Sequence, residues 1–472
     1  MLIITNKNGF GSAEAYNLGL CEAPSQLGAM SHLNVQEKLT DLNLDGLSLL
    51  FLGLTVIITP IAILAAETRT EMISSLLAVE ALLIGAFVTL DSISFYALFE
   101  STLIPMFFLI GATGSGSSLI RSSAATRFFL YTLGGSVLML LALIGLYLDR
   151  GTTNWFSLVL SGMDTEMIAA LPLNDAHAAL ASNDTTAGVT PSLESLLSFA
   201  FIFVAFAVKV PMIPVHLWLP EAHTIAPTPG SMILASLLLK LGGYGILRWL
   251  IPIFPEAFLY FQPFILTLSV ISQIYACLSC LRQIDIKRII AYSSIVHMNG
   301  CIFAIFSLSS LALKAAIFEM VSHGVISAAL FFLIGCLYSR YKTRTLAYYR
   351  GLAMFMPLFS TFFFINILAN SAVPLTSGFV GEFLMLAGTM TVLPVLTFII
   401  SISMIANAAY NIWLFNRLCF GESTSYITKF KDLTYKEFSI LAVLAFYTII
   451  LGVYPKSVLY FLDTRMNECL HY

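Results

Sequence analysis

The chain has 472 residues, of which 58% are hydrophobic and only 10% are charged, and its formal net charge is −3. Soluble domains carry about 25% charged residues, so this composition excludes an ordinary soluble domain and indicates many membrane spans. The near balance of charge offers no basic surface for a nucleic acid, and membrane lipid is the expected surrounding instead.

Residues 1–44 are mixed polar and contain no apolar core of signal-peptide length, so we interpret them as a polar N-terminal extension. Residues 45–455 then form a transmembrane domain, because apolar stretches of about 20 residues recur along them. Residues 456–472 are left as a C-terminal tail. The prediction is an all-α polytopic membrane protein of about twelve spans. The spans are expected near residues 46–66, 71–90, 93–113, 125–148, 193–222, 227–250, 261–281, 286–307, 311–338, 352–391, 393–418 and 436–455.

The loops support this count, because Lys and Arg concentrate on one side of a membrane protein. Basic clusters follow spans one, three, seven, nine and eleven, which places them all on the same face, whereas Arg150 and Arg248 fall on the other. Counting 352–391 as two complete spans would move the last cluster to the opposite face, so one discontinuous helix is favoured there. The clusters contain Arg69; Arg121 and Arg127; Arg282, Lys287 and Arg288; Arg340, Lys342, Arg344 and Arg350; and Lys429, Lys431 and Lys436.

Two spans are interrupted by helix breakers beside a charge. In 193–222, Pro211 and Pro214 follow Lys209; in 352–391, the break is expected around Pro374 and Gly378, ahead of Glu382. The two spans are five apart, an odd offset that inverts topology. Paired discontinuous helices in two halves predict inverted repeats with a transport path near the bilayer midplane. Between them, the polar stretch 151–192 is interpreted as a surface loop.

Four charged side chains stand out within the spans: Glu100, Lys209, Lys240 and Glu382. Placing a charge at the bilayer centre costs about 2.5–3.5 kcal/mol on insertion scales, so such groups usually face a polar cavity or a partner. Burial disfavours the ionised form and a neighbouring opposite charge restores it, so these groups can pass a proton when their neighbours change charge. We therefore favour proton transport. Static ion pairs that fix helix register are the alternative.

Histidines occur on two consecutive spans, His297 in one and His323 in the next. An imidazole both accepts and donates a proton near neutral pH, which suits a relay between a lysine and a glutamate; a hydrogen bond to a neighbouring carbonyl is the alternative role. His216 and His223 flank the end of the first broken helix and are expected to be caps or gate hydrogen bonders.

The chain is predicted to hold no metal and no redox centre of its own. The histidine spacing does not match H-E-x-x-H, and Cys277 with Cys280 forms a lone C-x-x-C pair. A phosphate-binding glycine loop, a haem attachment signature and iron–sulfur cysteine spacing are also absent from the sequence. Glu80 and Glu319 lie within spans without an assigned role, although Glu319 precedes His323 by four residues and could share its helix face.

Four strings carry a family resemblance: LPEAHTIAPTPGSMILASLLLKLGGYGILR at 219–248, DIKRIIAYSSIVHMN, LFESTLIPMFFLIG and SGFVGEFLML. They resemble subunit 4 of proton-pumping NADH:ubiquinone oxidoreductase, respiratory complex I, from about residue 43 to the last span. The resemblance implies that this chain is a subunit of that enzyme, with proton-channel residues and central relay histidines. These are Glu100, Lys209, Lys240 and Glu382, and His297 and His323.

The resemblance also implies the surroundings of the chain. Its partners would be the other membrane-arm subunits, especially the antiporter-like subunits 2 and 5, while NADH, FMN, iron–sulfur clusters and ubiquinone would bind in other subunits. The mitochondrial inner membrane is the expected location, with a bacterial plasma membrane as the alternative. Family members have two further spans ahead of the segment at residue 43, and residues 1–44 are too polar to supply them.

The expected mechanism is indirect. Quinone reduction elsewhere in the complex would change the Glu100 to Lys209 pairing, and a proton would move by Lys240 and the histidines to Glu382. Two alternatives remain open at this point: a subunit of a multisubunit sodium/proton antiporter, and a non-conducting assembly scaffold.

Overall fold

The computed structural model describes residues 45–66, 69–162, 191–422 and 431–469, with side chains described as far as residue 462. Within these residues the chain is helical apart from short connections. The helices are α1 Gly46–Ala65, α2 Thr70–Val88, α3 Ser92–Thr113, α4 Ser118–Arg150, α5 Trp155–Gly162, α6 Leu193–Lys209, α7 Trp218–Ile225, α8 Thr228–Ile253, α9 Pro255–Arg282, α10 Ile286–Phe306, α11 Ser310–Tyr341, α12 Leu352–Phe355, α13 Pro357–Asn370, α14 Ser377–Met390, α15 Pro394–Cys419, α16 Tyr435–Val453 and α17 Lys456–Cys469.

The predicted polytopic helical fold is confirmed. Ten helices in the described part of the chain are long and apolar enough to cross a membrane, and the two remaining predicted spans are the discontinuous pairs α6–α7 and α13–α14. Most boundaries agree within a few residues. The largest difference is α4, which begins at Ser118 rather than near residue 125, because its first two turns mix serines and Arg121 with Leu119 and Ile120 and extend the helix beyond its continuous apolar stretch.

Some of the predicted segments lie wholly or partly outside the described residues. The N-terminal extension 1–44, and with it the question of the two further spans, lies outside the described residues, as do residues 163–190 of the predicted loop. The described beginning of that loop contains α5, and the predicted C-terminal tail contains α17.

The first broken helix ends just before the prolines in its sequence. Helix α6 stops at Lys209 because prolines follow, and prolines can neither donate a backbone hydrogen bond nor continue a helix. The freed backbone groups find partners in the protein: Trp218 Nε1 donates to the Val208 carbonyl at 2.9 Å, and the Ile213 N–H donates to Ser272 Oγ at 3.1 Å. Such partners are what makes a broken helix tolerable at membrane depth.

Hydrogen bonds between asparagines stabilise the backbone at the second helix break. Helix α13 ends at Asn370, whose carbonyl accepts from Asn407 Nδ2 at 2.9 Å and whose Nδ2 donates to Asn411 Oδ1 at 2.9 Å. The break spans residues 371–376, which includes the expected Pro374, whereas Gly378 lies one residue into α14. The amides on α15 therefore satisfy the polar groups that the interruption exposes.

The centre of the protein is formed by α8, α10 and α11, which are almost wholly buried, while the outer helices expose apolar side chains such as Leu148 and Phe398. An α-helix satisfies its own backbone, so an apolar exterior is suited to lipid. Lys240, His297 and His323 lie on these three central helices.

Arg150 and Arg248, which the sequence placed on the face opposite the basic clusters, both have partners within the protein. Arg248 is buried, pairs with Asp45 and stacks on the Trp155 ring at 4.3 Å. Arg150 Nη1 donates to the Leu158 carbonyl at 2.6 Å. Conversely, Lys287, which was counted among the loop cations, is buried in the first turn of α10 and donates to the Ala226 carbonyl at 2.7 Å.

Replacing Asp45 by alanine is expected to destabilise this domain by about 3 kcal/mol, because it leaves the buried Arg248 without its carboxylate. This value is the lower end of the range for breaking a buried ion pair, since Asp45 is itself partly exposed. Such a loss lowers the cellular amount of a protein several-fold. The amount of this chain in isolated membranes, measured by quantitative immunoblotting, reports the effect. The matched control is Asp149→Ala at an exposed carboxylate; equal amounts of the two variants would contradict the prediction.

Candidate functional site

Lys240 lies at the centre of the molecule and bonds directly to a histidine. Its side chain is fully buried, and Nζ lies 2.8 Å from His323 Nδ1 and donates to the Ala235 carbonyl at 2.6 Å. A buried ammonium without such partners would be costly. The geometry therefore accommodates the charge of Lys240 through one carbonyl and one imidazole.

The backbone of α8 helps to orient this lysine. Residues Leu234–Leu238, just before Lys240, form a π-helical turn, and a second π-helical turn covers Ile246–Leu250. Such turns are rare and occur often at functional sites, because they leave backbone carbonyls for other donors. The carbonyl that Lys240 uses, that of Ala235, belongs to the first of these turns. The amino-acid sequence gave no signal for either turn.

His297 lies between His323 and the carboxylates of two glutamates. The rings of His297 and His323 are 5.2 Å apart between centroids. His297 Nδ1 lies 3.1 Å from Glu382 Oε1 and 3.4 Å from Glu319 Oε1. We call His297, Glu319 and Glu382 the carboxylate–imidazole triad. Four predicted site residues thus form one line, which we call the central row: Lys240, His323, His297 and Glu382.

Glu319 was noticed in the sequence but not assigned to the site. The expectation from its four-residue spacing was a shared helix face with His323. In the structure, its described ion pair is with His297 of the neighbouring helix α10, and its side chain is 1% exposed. The signal in the sequence was an acidic residue inside an apolar span, which by itself indicates a functional position.

Glycines let the helices approach closely enough for these contacts. A Cβ at Gly381 of α14 would lie 2.9 Å from the Cβ of Glu319, closer than side chains pack. A Cβ at Gly242 of α8 would lie 2.7 Å from Val210 Cγ2 and 3.1 Å from Lys209 Cβ. Larger residues at these positions would push the helices apart and separate the charged groups.

Glu100 and Lys209 stand apart from the central row. Among the described residues, Lys209 Nζ has no hydrogen-bond partner, and no ion pair joins it to the Glu100 carboxylate. Instead, Lys209 Nζ lies over the Phe99 ring, 4.6 Å from its centroid, a cation–π contact. The predicted pairing of these two residues is therefore an interaction across a gap rather than a direct ion pair.

His216 and His223, which were expected to be caps or gate hydrogen bonders, pack against aromatic rings instead. His223 is fully buried and stacks on Phe331 with centroids 4.4 Å apart, and His216 packs edge-on against Tyr275. Within the described part of the chain, the ring nitrogens of these two histidines have no hydrogen-bond partner, so they do not cap a helix in this way. Glu80 accepts a hydrogen bond from Thr59 Oγ1 at 2.6 Å.

This arrangement can exchange protons. An ammonium, two imidazoles and a carboxylate follow one another in the buried centre, and each can take up and release a proton. Because buried charges favour neighbours of opposite sign, a proton added at one end changes the stability of the charge at the next group. Glu100 and Lys209 provide two further ionisable groups apart from the central row.

Known proteins resemble the chain over most of its length. Residues 89–407 match a family described as NADH:quinone oxidoreductase/Mrp antiporter, TM. NADH-ubiquinone oxidoreductase chain 4 of Marchantia polymorpha is 44% identical over 436 residues, covering 91% of this chain and 81% of the relative. The corresponding chain 4 of Chondrus crispus is 45% identical over 424 residues, covering 89% and 80%.

Solved structures share the fold. A chain of respiratory complex I from Thermus thermophilus with bound NADH superposes with a TM-score of 0.78 at 29% identity, covering 91% of this chain and 85% of that one. A chain of the Mrp complex from Dietzia sp. DQ12-45-1b superposes with a TM-score of 0.76 at 19% identity, covering 89% and 83%, which shows a common fold only.

Proposed function

Because this chain belongs to the NADH:quinone oxidoreductase/Mrp antiporter transmembrane family, we propose that it is a proton-translocating subunit in the membrane arm of respiratory complex I. The observation that carries this proposal is the central row. Lys240, His323, His297 and Glu382 follow one another through helices that are almost wholly buried. Ionisable groups at membrane depth are costly and therefore mark ion paths.

The geometry supports a stepwise transfer through the two imidazoles. His323 Nδ1 faces Lys240 and His297 Nδ1 faces Glu382, so the Nε2 atoms are left for transfer between the rings. A proton from the Lys240 ammonium would enter His323 at Nδ1 and leave from Nε2. His297 would accept it, through a bridging water, at Nε2 and release its Nδ1 proton to Glu382. Each imidazole returns to a neutral form after passing one proton.

Lys209 and Glu100 act before the central row in this proposal. Quinone reduction elsewhere in the complex changes the electrostatic field at Glu100, which alters the charge that Lys209 can hold over Phe99. A change of charge on Lys209 then acts on Lys240 of the adjoining helix α8. Electrostatic coupling suffices for this step, because interactions between buried charges are weakly screened.

The proposal assigns the redox chemistry to other chains. NADH, FMN, iron–sulfur clusters and ubiquinone would bind in other subunits, and this chain contributes proton translocation to the NADH:ubiquinone reductase. The antiporter-like subunits 2 and 5 are its proposed neighbours in the membrane arm. The mitochondrial inner membrane is the proposed location, supported by the eukaryotic relatives named NADH-ubiquinone oxidoreductase chain 4.

Glu382→Gln is the direct test of this function. The variant keeps the size of the side chain and cannot take up the proton, so proton translocation per NADH oxidised is expected to fall in sealed membrane vesicles, together with coupled NADH oxidation. A positioned proton-transfer group contributes about 10²–10⁴-fold to a rate, so transfer through this subunit is expected to slow by at least about tenfold.

The matched control is Glu80→Gln, the same change at a glutamate bonded to Thr59 outside the central row. Normal pumping by an assembled Glu382→Gln complex would favour the scaffold alternative. Sodium-dependent proton exchange without NADH oxidation would favour the antiporter alternative, with which the fold is also compatible.

A further inference from the structure

A furrow runs between α13 and α15 on the outer surface of the described chain, and we call it the α13–α15 furrow. Its volume is about 520 Å³, within the range of roughly 300–1,000 Å³ that is usual for ligand sites. It follows α13 from Pro357 to Leu368, about 17 Å at 1.5 Å per residue, which is close to half of the hydrocarbon core of a membrane. Its apolar wall includes Ala353, Pro357, Phe364, Leu368, Ile412 and Phe420.

Two of the three polar side chains in the α13–α15 furrow are bonded to their own helix. Ser360 Oγ donates to the Met356 carbonyl at 3.0 Å, and Thr361 Oγ1 donates to the Leu358 carbonyl at 2.8 Å. The third, Asn416, is exposed. Hydroxyl groups that are already donating within a helix leave a surface dominated by carbon, so the furrow suits a hydrocarbon chain rather than a polar molecule.

Two arginines flank one end of the α13–α15 furrow. Arg417 lies in the last turn of α15, and Arg350 precedes Gly351, whose N–H donates to the Phe420 carbonyl at 3.2 Å. This hydrogen bond brings the two chain segments together at the end of the furrow. Both arginines are exposed, and no ion pair joins either of them to a carboxylate in the described part of the chain. The end of the furrow is therefore positively charged.

The acids at this end of the protein do not cancel that charge. The Asp432 carboxylate accepts hydrogen bonds of 2.9 Å and 3.2 Å from two N–H groups in the first turn of α13, and Glu437 pairs with Arg340 at 2.7 Å. Glu422 is exposed and is outnumbered by the two arginines. Because Asp432 already occupies the N-terminus of α13, an anion at the furrow is expected to meet the arginines and not the helix end.

We propose that the α13–α15 furrow binds one anionic phospholipid, with an acyl chain between the two helices and the phosphate in contact with Arg417 and Arg350. Basic pockets between transmembrane helices recognise such headgroups. Trp413 lies beneath Arg417 with its ring centroid 6.0 Å from the guanidinium carbon, and it is 39% exposed. Tryptophan is enriched at the membrane interface, which places this end of the furrow at headgroup level. The inference goes beyond the proposed function, because it assigns a ligand to a surface away from the central row.

The shape of the α13–α15 furrow favours an acyl chain over a helix of another subunit. Helices α13 and α15 contact each other directly, with the rings of Phe364 and Phe415 at 4.9 Å between centroids and Asn370 Nδ2 at 2.9 Å from Asn411 Oδ1. A helix with its side chains is about 10–12 Å across, so it can cover a furrow between two touching helices but cannot enter it. A single hydrocarbon chain is narrow enough to enter.

Photochemical labelling of the complex in lipid vesicles tests the inference. The probes are phosphatidylglycerol and phosphatidylcholine, each with a diazirine in one acyl chain, and mass spectrometry identifies the labelled peptides of α13 and α15. Attraction of an anionic headgroup to one arginine is worth about fivefold in binding. We expect phosphatidylglycerol to label the furrow of the wild-type complex at least about fivefold more than phosphatidylcholine, and Arg350→Gln combined with Arg417→Gln to remove this preference.

Arg282→Gln is the matched control, because it makes the same change at an exposed arginine at the end of α9 and should leave the preference intact. Ala353→Phe fills the charged end of the α13–α15 furrow and should reduce labelling by both probes in the assembled complex. Equal labelling of the wild-type furrow by the two lipids would overturn the inference. Labelling by neither lipid would mean that another subunit covers the furrow, and would overturn it as well.

Discussion

Lys240→Met is expected to abolish proton transfer through this subunit while the complex still assembles. Methionine fills a similar volume without a titratable group, so the packing of α8 is retained but His323 loses its proton donor at 2.8 Å. NADH-driven proton translocation in sealed vesicles should fall, as should coupled NADH oxidation. The fall should be at least about tenfold for transfer through the central row, as for any positioned proton-transfer group.

Lys456→Met is the matched control, because Lys456 is an exposed cation at the start of α17. Native electrophoresis with staining for NADH dehydrogenase activity establishes assembly for both variants. Full pumping by an assembled Lys240→Met complex would mean that protons bypass the central row, and the role proposed for His323 would then be lost as well.

Substitutions of His297 should separate structure from proton transfer. His297→Leu leaves Glu319 and Glu382 without the imidazole between them, and removing one member of a buried charged group costs about 3–5 kcal/mol. We expect this variant to assemble poorly. His297→Gln keeps an N–H that can donate to one carboxylate but cannot titrate, so we expect near-normal assembly together with lost proton translocation.

The two measurements are the amount of assembled complex and the protons translocated per NADH oxidised. We expect the His297→Gln variant to restore the assembly that His297→Leu loses, but not to restore proton pumping. If glutamine restored both, His297 would be a hydrogen-bonding residue that holds the triad together, and the relay between the imidazole rings would be excluded.

The sequence predicted the spans well because bilayer insertion depends on local composition. A run of apolar residues long enough to cross the hydrocarbon core is helical whatever surrounds it, since its backbone must be satisfied within the segment. The interruption after Lys209 was predictable for the same reason, because Pro211 ends a helix without reference to neighbours. The asparagines that hold the second break were not predicted, since Asn407 and Asn411 lie on a different helix from Asn370.

The candidate site was only partly predictable. Lys240, Glu382, His297 and His323 stood out because charged and titratable groups are rare inside spans. Their order in space was not available, since Lys240 contacts His323 from 83 positions away along the chain. The four-residue spacing predicted only a helix face shared by Glu319 and His323, whereas the ion pair of Glu319 in the structure crosses from α11 to α10.

The sequence by itself determined that this protein is a polytopic helical membrane protein with ionisable residues at membrane depth, because insertion and helix breaking are properties of short segments. Only the tertiary structure decided which of those residues meet. Close approach of α14 to α11 at Gly381 brings Glu382 and Glu319 to one imidazole, while Lys209 is left over Phe99 at a distance from Glu100. Electrostatic interaction depends on separations of a few ångströms between distant parts of the chain, and helix packing sets those separations.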